Sequence, residues 1–128
     1  QLGRWIALFC FVTGLSLAVE RSAVREGDPY LRNQVKNTIL KRAHELQSCY
    51  LKLLEHKPSK TDGRVKLDWQ ISTRGKVIDP AVVTSDFQNP AFEACLLQKL
   101  KAWTFPPPEE KTKYVAHLFH FRDDAVKP

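Results

Sequence analysis

The chain has 128 residues, room for one domain in which roughly 90 to 100 residues have globular composition. Its net charge is +6, yet the basic residues are scattered (Lys36, Lys41 and Arg42; Lys57 and Lys60; Lys99 and Lys101) and no nucleic-acid motif accompanies them. That pattern reads as a solvated surface and argues against a nucleic-acid partner.

The chain opens on Gln1 and contains no methionine, so we expect residues upstream of it. Trp5 to Val19, WIALFCFVTGLSLAV, is apolar apart from Thr13 and Ser16 and follows Arg4. Fifteen residues are short for a membrane span, which needs about 20. They suit the apolar core of a secretory signal, with cleavage after Ala18 of Ser16-Leu17-Ala18. A retained membrane tether through residues 5–19 and a buried core helix are the two other readings. Either of the first two places the remainder outside the cytoplasm. Residues 20–29 form a short charged linker ending in Gly27-Asp28-Pro29, a helix-start signal.

A first helix is expected from about Tyr30 to Glu55, because Val35, Ile39, Ala43, Leu46, Tyr50 and Leu53 recur at steps of three and four. His56-Lys57-Pro58 ends it. Val65, Leu67, Trp69 and Ile71 then alternate with Lys66, Asp68, Gln70 and Ser72, which marks a strand with one buried face. Thr73-Arg74-Gly75-Lys76 supplies the glycine for a reversal, and Val77-Ile78 restarts the apolar run. Asp79-Pro80 interrupts this second strand; proline cannot donate to a ladder, so an edge position or a bulge is expected, with the strand continuing to Ser85. A lone hairpin of this kind is marginal in water and needs its apolar face covered.

Asp86 to Pro90 reads as a turn, with Asn89 as cap and Pro90 at the first position of a second helix to Ala102. Phe105-Pro106-Pro107-Pro108 leaves that helix in an extended, stiffened form. A last strand, about Lys113 to Arg122, carries apolar residues on both faces and is expected inside the sheet or covered on both sides. Asp123 to Pro128 is a tail. The fold class is therefore α+β: a small antiparallel three-stranded sheet with two helices on one face, in the order α-β-β-α-β, spanning residues 30–122.

Four landmarks, taken together, carry a family resemblance: a helix ending in Cys49-Tyr50; Gly63-Arg64-Val65 opening a strand that closes at Ile71-Ser72-Thr73-Arg74-Gly75-Lys76-Val77; Asn89-Pro90-Ala91-Phe92-Glu93-Ala94-Cys95-Leu96; and Trp103-Thr104-Phe105-Pro106-Pro107-Pro108 before a strand ending Phe119-His120-Phe121. From about Asn33 to Phe121 the chain resembles the AgmX/PglI C-terminal domain, a branch of the TonB-like C-terminal domains of predatory and gliding bacteria. The resemblance implies a periplasmic or cell-envelope domain without a catalytic role or cofactor, which takes a segment of an envelope protein as an added strand on its sheet edge. One departure is the linker. About ten residues reach at most roughly 35 Å when fully extended, which fits a local adaptor or secreted scaffold better than a reach across the periplasm.

The family pattern places cysteines at Cys49 and Cys95, and an exported chain meets an oxidising compartment, so the resemblance implies a disulfide between them. Two buried thiols and a redox-active pair are the other readings, the last without C-x-x-C spacing. His117 and His120, three apart on a strand, point to opposite faces and cannot share an ion. His44 and His56 are twelve apart, and Glu109-Glu110 and Asp123-Asp124 read as solvation, so no metal or catalytic constellation is expected. Trp69 and Trp103 are expected to anchor the core. Phe105 with Pro106 and Pro107 either packs the helix exit on the sheet or forms a docking ridge. If Pro80 blocks one sheet edge, the strand with Lys113, Tyr114, Ala116, Leu118 and His120 is left as the receptor for a partner segment, provided that strand lies at an edge. A self-associating, strand-paired homodimer and a small thiol enzyme are the alternative functions.

Overall fold

The computed structural model describes residues 28–123. The signal or tether at 5–19, most of the linker and most of the tail lie outside the described residues. Right-handed helical backbone runs from Tyr30 to Glu55 with changes of pitch: a π-helical segment (Tyr30–Val35), helix α1 (Lys36–Arg42), a 3₁₀ turn (Ala43–Leu46) and helix α2 (Gln47–Glu55). The expected single helix is thus an arm with a tightened middle. In a 3₁₀ turn the side chains at i and i+3 come into line, and here Arg42 pairs with Glu45 at 3.0 Å. Glu45 also accepts a hydrogen bond from the Trp103 indole N–H at 3.1 Å, while the Arg42 guanidinium lies 5.9 Å from the centre of that indole ring.

Strands β1 (Gly63–Ile71), β2 (Val77–Ser85) and β3 (Lys113–Phe121) form an antiparallel sheet in the order β2-β1-β3. The alternation read in β1 holds: Val65, Leu67, Trp69 and Ile71 are buried while Arg64, Lys66 and Gln70 are exposed. The hairpin closes around Ser72, whose hydroxyl accepts from the amides of Arg74 and Lys76, while Gly75 takes φ of +83°. Helix α3 (Pro90–Lys101) begins as expected, with Asn89 accepting from the Phe92 amide at 3.0 Å and Pro90 in the first turn. The arm and α3 cover one face of the sheet, and a disulfide joins Cys49 to Cys95 between them.

The core lies between the sheet and the two helical layers. Tyr50, Phe87, Phe92 and Phe121 cluster at one end with ring centres 5.2 to 6.4 Å apart. Trp69 and Trp103 flank Phe105 at the other. Each fully buried large apolar side chain contributes about 1.5 to 3 kcal/mol through removal from water. The helix exit is fastened to the hairpin turn, where the Phe105 amide donates to the Gly75 carbonyl at 2.9 Å.

One expectation fails. β3 is an edge strand, and its outer face is open: Tyr114 is 58% and Leu118 51% exposed. Apolar residues on both sides of a strand signal burial of both only if a second layer exists, and here both helical layers lie on one face.

Candidate functional site

The two edges of the sheet are built differently. β2 departs from even register twice: Asp79 and Pro80 together oppose Trp69, and Val83 is inserted between the partners of Lys66 and Leu67. Asp79 sits at φ of +51°. Bulges and proline are the devices that keep a sheet edge from pairing with another chain. β3 has neither. It pairs with β1 residue for residue, from Gly63 with Phe121 to Ile71 with Lys113, without a shift. On its far side, alternate residues turn amide and carbonyl groups away from β1.

That free edge runs beside the helical arm, and two hollows lie along it. The first, of about 230 Å³, has Leu31, Val35, Lys36 and Ile39 on the arm and Tyr114 to His117 on β3. The second, of about 270 Å³, has Ala43, His44, Leu46 and Gln47 facing Phe119 to Arg122. Consecutive strand residues line each hollow, so the backbone of β3 forms one wall.

The inward row of β3 is Lys113, Val115, His117, Phe119 and Phe121. Val115, Phe119 and Phe121 are buried; Lys113 and His117 are half-buried. The Lys113 ammonium pairs with Asp28 at 3.1 Å, which ties the start of the arm to the start of β3. Burial raises the Asp28 pKa, but the hydrogen bonds from Lys113 and the Tyr30 amide and the Lys113 charge outweigh it, and the carboxyl stays below its ordinary range. Burial, and then the nearby Lys36 cation, push the His117 imidazole down, so the neutral ring is favoured. Its ring stands 4.7 Å from that of Phe119. The outer row is Tyr114, Ala116, Leu118 and His120, all exposed. The Tyr114 hydroxyl donates to Asp68 at 2.8 Å, and that hydrogen bond raises its pKa.

The residues singled out from sequence therefore separate. Lys113, Tyr114, Ala116, Leu118 and His120 do lie on one strand at a sheet edge, four of them on its open face. Phe105 does not join them: it is 2% exposed, packed between two tryptophans. The docking ridge is corrected accordingly, because Phe105 closes the core at the helix exit. Pro106 and Pro107 remain exposed, and the Pro106 carbonyl accepts from the Tyr30 hydroxyl at 2.7 Å. Sequence reading missed Val115, His117 and Phe119 as groove residues, together with the arm residues opposite. Their period-2 and helical spacings were legible, but a groove wall and a core carry the same spacing.

No family model matches the chain, and no curated protein does. Among solved structures, the solution NMR structure of the Pseudomonas aeruginosa TonB CTD is similar to it over 59% of this chain and 78% of that chain, with 20% sequence identity and a TM-score of 0.47.

Proposed function

We propose that this chain is a non-catalytic interaction module of the cell envelope, of the kind its resemblance to TonB-like C-terminal domains implies, and that it takes an extended segment of an envelope protein as a fourth strand along β3. One observation carries this reading: β3 is a nine-residue edge strand in unbroken register, whereas the opposite edge is bulged twice and holds Pro80. An added strand gains main-chain hydrogen bonds, and side-chain hollows beside the edge supply selectivity. The apolar segment at 5–19 and the oxidised Cys49–Cys95 pair support the location outside the cytoplasm.

A photo-crosslinking side chain placed at Ala116 on β3, compared with one at Ala81 on β2, tests the proposal in the native host. Both positions are exposed. Crosslinks to a different polypeptide from position 116 and not from 81 are expected. Equal labelling from both sites would sink the idea. An adduct of twice the chain's own mass would replace the partner with a strand-paired second copy, for which the same open edge would serve.

A further inference from the structure

We infer that the segment received along β3 is acidic at its centre and apolar on either side, reading apolar–x–acidic–x–apolar. The inference rests on the edge-addition reading above and specifies the chemistry of its occupant. The first hollow meets the inward residues Val115 and His117, the second Phe119 and Phe121. Their centres are four residues apart along β3, roughly 13 Å at the rise of a strand. An added strand turns every second side chain toward the arm. Two of its side chains, four positions apart, therefore meet the hollows, and the one midway passes between them.

Both hollows have apolar floors: Leu31, Val35, Ile39 and Val115 in one, Ala43, Leu46, Phe119 and Phe121 in the other. The charged side chains that line them are cations, Lys36 at the first and Arg122 at the second, beside the uncharged polar groups of Tyr114 and Gln47 and three histidines; among the described residues no carboxylate lines either. Three acidic side chains of the arm and its flanks have partners of their own: Asp28 pairs with Lys113, Glu45 with Arg42 and Trp103, and Asp62 accepts from the Asp123 amide. A carboxylate at the midway position passes Lys36, the cation at the first hollow, while a lysine there meets like charge. Such placement sets partner choice and register more than total affinity.

The test uses the full chain, ¹⁵N-labelled, and three blocked nonapeptides with leucine at the third and seventh positions, threonine elsewhere, and glutamate, glutamine or lysine at the fifth. At low ionic strength all three should shift the β3 amides. The glutamate peptide should bind about 1.5- to fivefold more tightly than the glutamine peptide, the span of an exposed ion pair, and the lysine peptide more weakly again. Lys36→Glu should reverse that order and Lys36→Gln should flatten it; Lys36 is exposed, so neither change threatens folding. Moving the second leucine to the sixth position should weaken binding. If all three peptides shift β3 equally in wild type and Lys36→Glu, the edge receives strands but the acidic chemistry is wrong. If β3 amides move with protein concentration alone and ignore the peptides, a second copy holds the groove and the inference fails. If no β3 amide moves at millimolar peptide, the edge-addition reading falls with it.

Discussion

Replacing Gly75 with alanine should be among the most damaging single changes available outside the aromatic core. Gly75 holds φ of +83° in the hairpin turn, and a Cβ built there would lie 2.1 Å from the Phe105 carbonyl oxygen. The left-handed conformation alone costs an alanine about 1 to 2 kcal/mol. Relief of the contact requires the 104–106 segment to retreat by more than 1 Å, since ordinary contact begins near 3.4 Å. That movement breaks the bond from the Phe105 amide to the Gly75 carbonyl, about 0.5 to 1.5 kcal/mol. It also draws Phe105 partly from its slot between Trp69 and Trp103, a fraction of the roughly 3 to 5 kcal/mol that full truncation of a buried Phe costs. Together these give a loss of about 3 to 5 kcal/mol, readable as a lowered urea midpoint by circular dichroism with the disulfide intact. Gly75→Asn separates the causes. Asparagine tolerates positive φ yet still carries a Cβ, so it should recover less than about 1 kcal/mol. A Gly75→Ala loss under about 1.5 kcal/mol, or near-complete recovery in Gly75→Asn, would refute the steric argument.

Joint replacement of Cys49 and Cys95 by alanine should cost about 4 kcal/mol on the chain-entropy account, given their sequence separation of 46. A thermal melt should fall by roughly 15 to 30 °C for a domain of this size; a drop under about 5 °C would show that the bridge does not constrain the unfolded chain. Glu45→Gln should cost about 1 kcal/mol by weakening the bonds to Arg42 and Trp103. It should also remove an acid limb. The Arg42 hydrogen bond, against burial, holds the Glu45 carboxyl below its ordinary value of 4.5, so its contribution is present above that pH and lost as pH falls through the folded value. Urea midpoints from pH 6 to 3 should be flatter in the variant. His117 works on a different window. Burial and Lys36 lower its pKa from the ordinary 6.5, so the unfolded chain binds the extra proton first, and stability is full above 6.5 and falls as pH drops below it. His117→Asn should flatten the urea midpoint between pH 7 and 5; an unchanged slope would mean the imidazole is solvated in the folded state.

Much of the fold is legible where local spacing and local chemistry agree. The alternation of β1, the Gly75 reversal, the Asn89-Pro90 start of α3 and the interruption at Pro80 each reflect a constraint within a few residues. The failures share a cause: they depend on partners far along the chain. The outer row of β3 is apolar at Tyr114 and Leu118, and nothing local reports that no layer among the described residues covers it. Glu45 looks like a solvent-facing residue of a helix until Trp103, 58 residues on, supplies its donor. Lys113 and Asp28 are 85 apart. The 3₁₀ turn at Ala43–Leu46 likewise coincides with the Arg42–Glu45 pair and the Glu45–Trp103 bond, the latter between segments far apart in the chain. The candidate site suffers most, because a groove is a relation between the arm and β3.

The difference between the two edges is hard to attribute to stability. At β2 the chain accepts a left-handed Asp79, a lost ladder donor at Pro80 and a second bulge at Val83. A non-glycine residue in that conformation costs of order 1 kcal/mol or more, and a regular strand would pair better with β1. Bulges and proline are devices that disfavour pairing of an edge with another strand. β3 has the regular pairing, and so retains the hazard that β2 avoids. A charge pointing inward at mid-strand is another device against edge pairing, and the side chain in that position is His117, whose pKa burial and then Lys36 push down. Lys113, the charged inward residue, lies at the strand's end and is bound to Asp28. A sheet this small has only two edges to guard. On the proposed reading, bulging one while leaving the other regular and flanked by apolar hollows directs an incoming strand to β3.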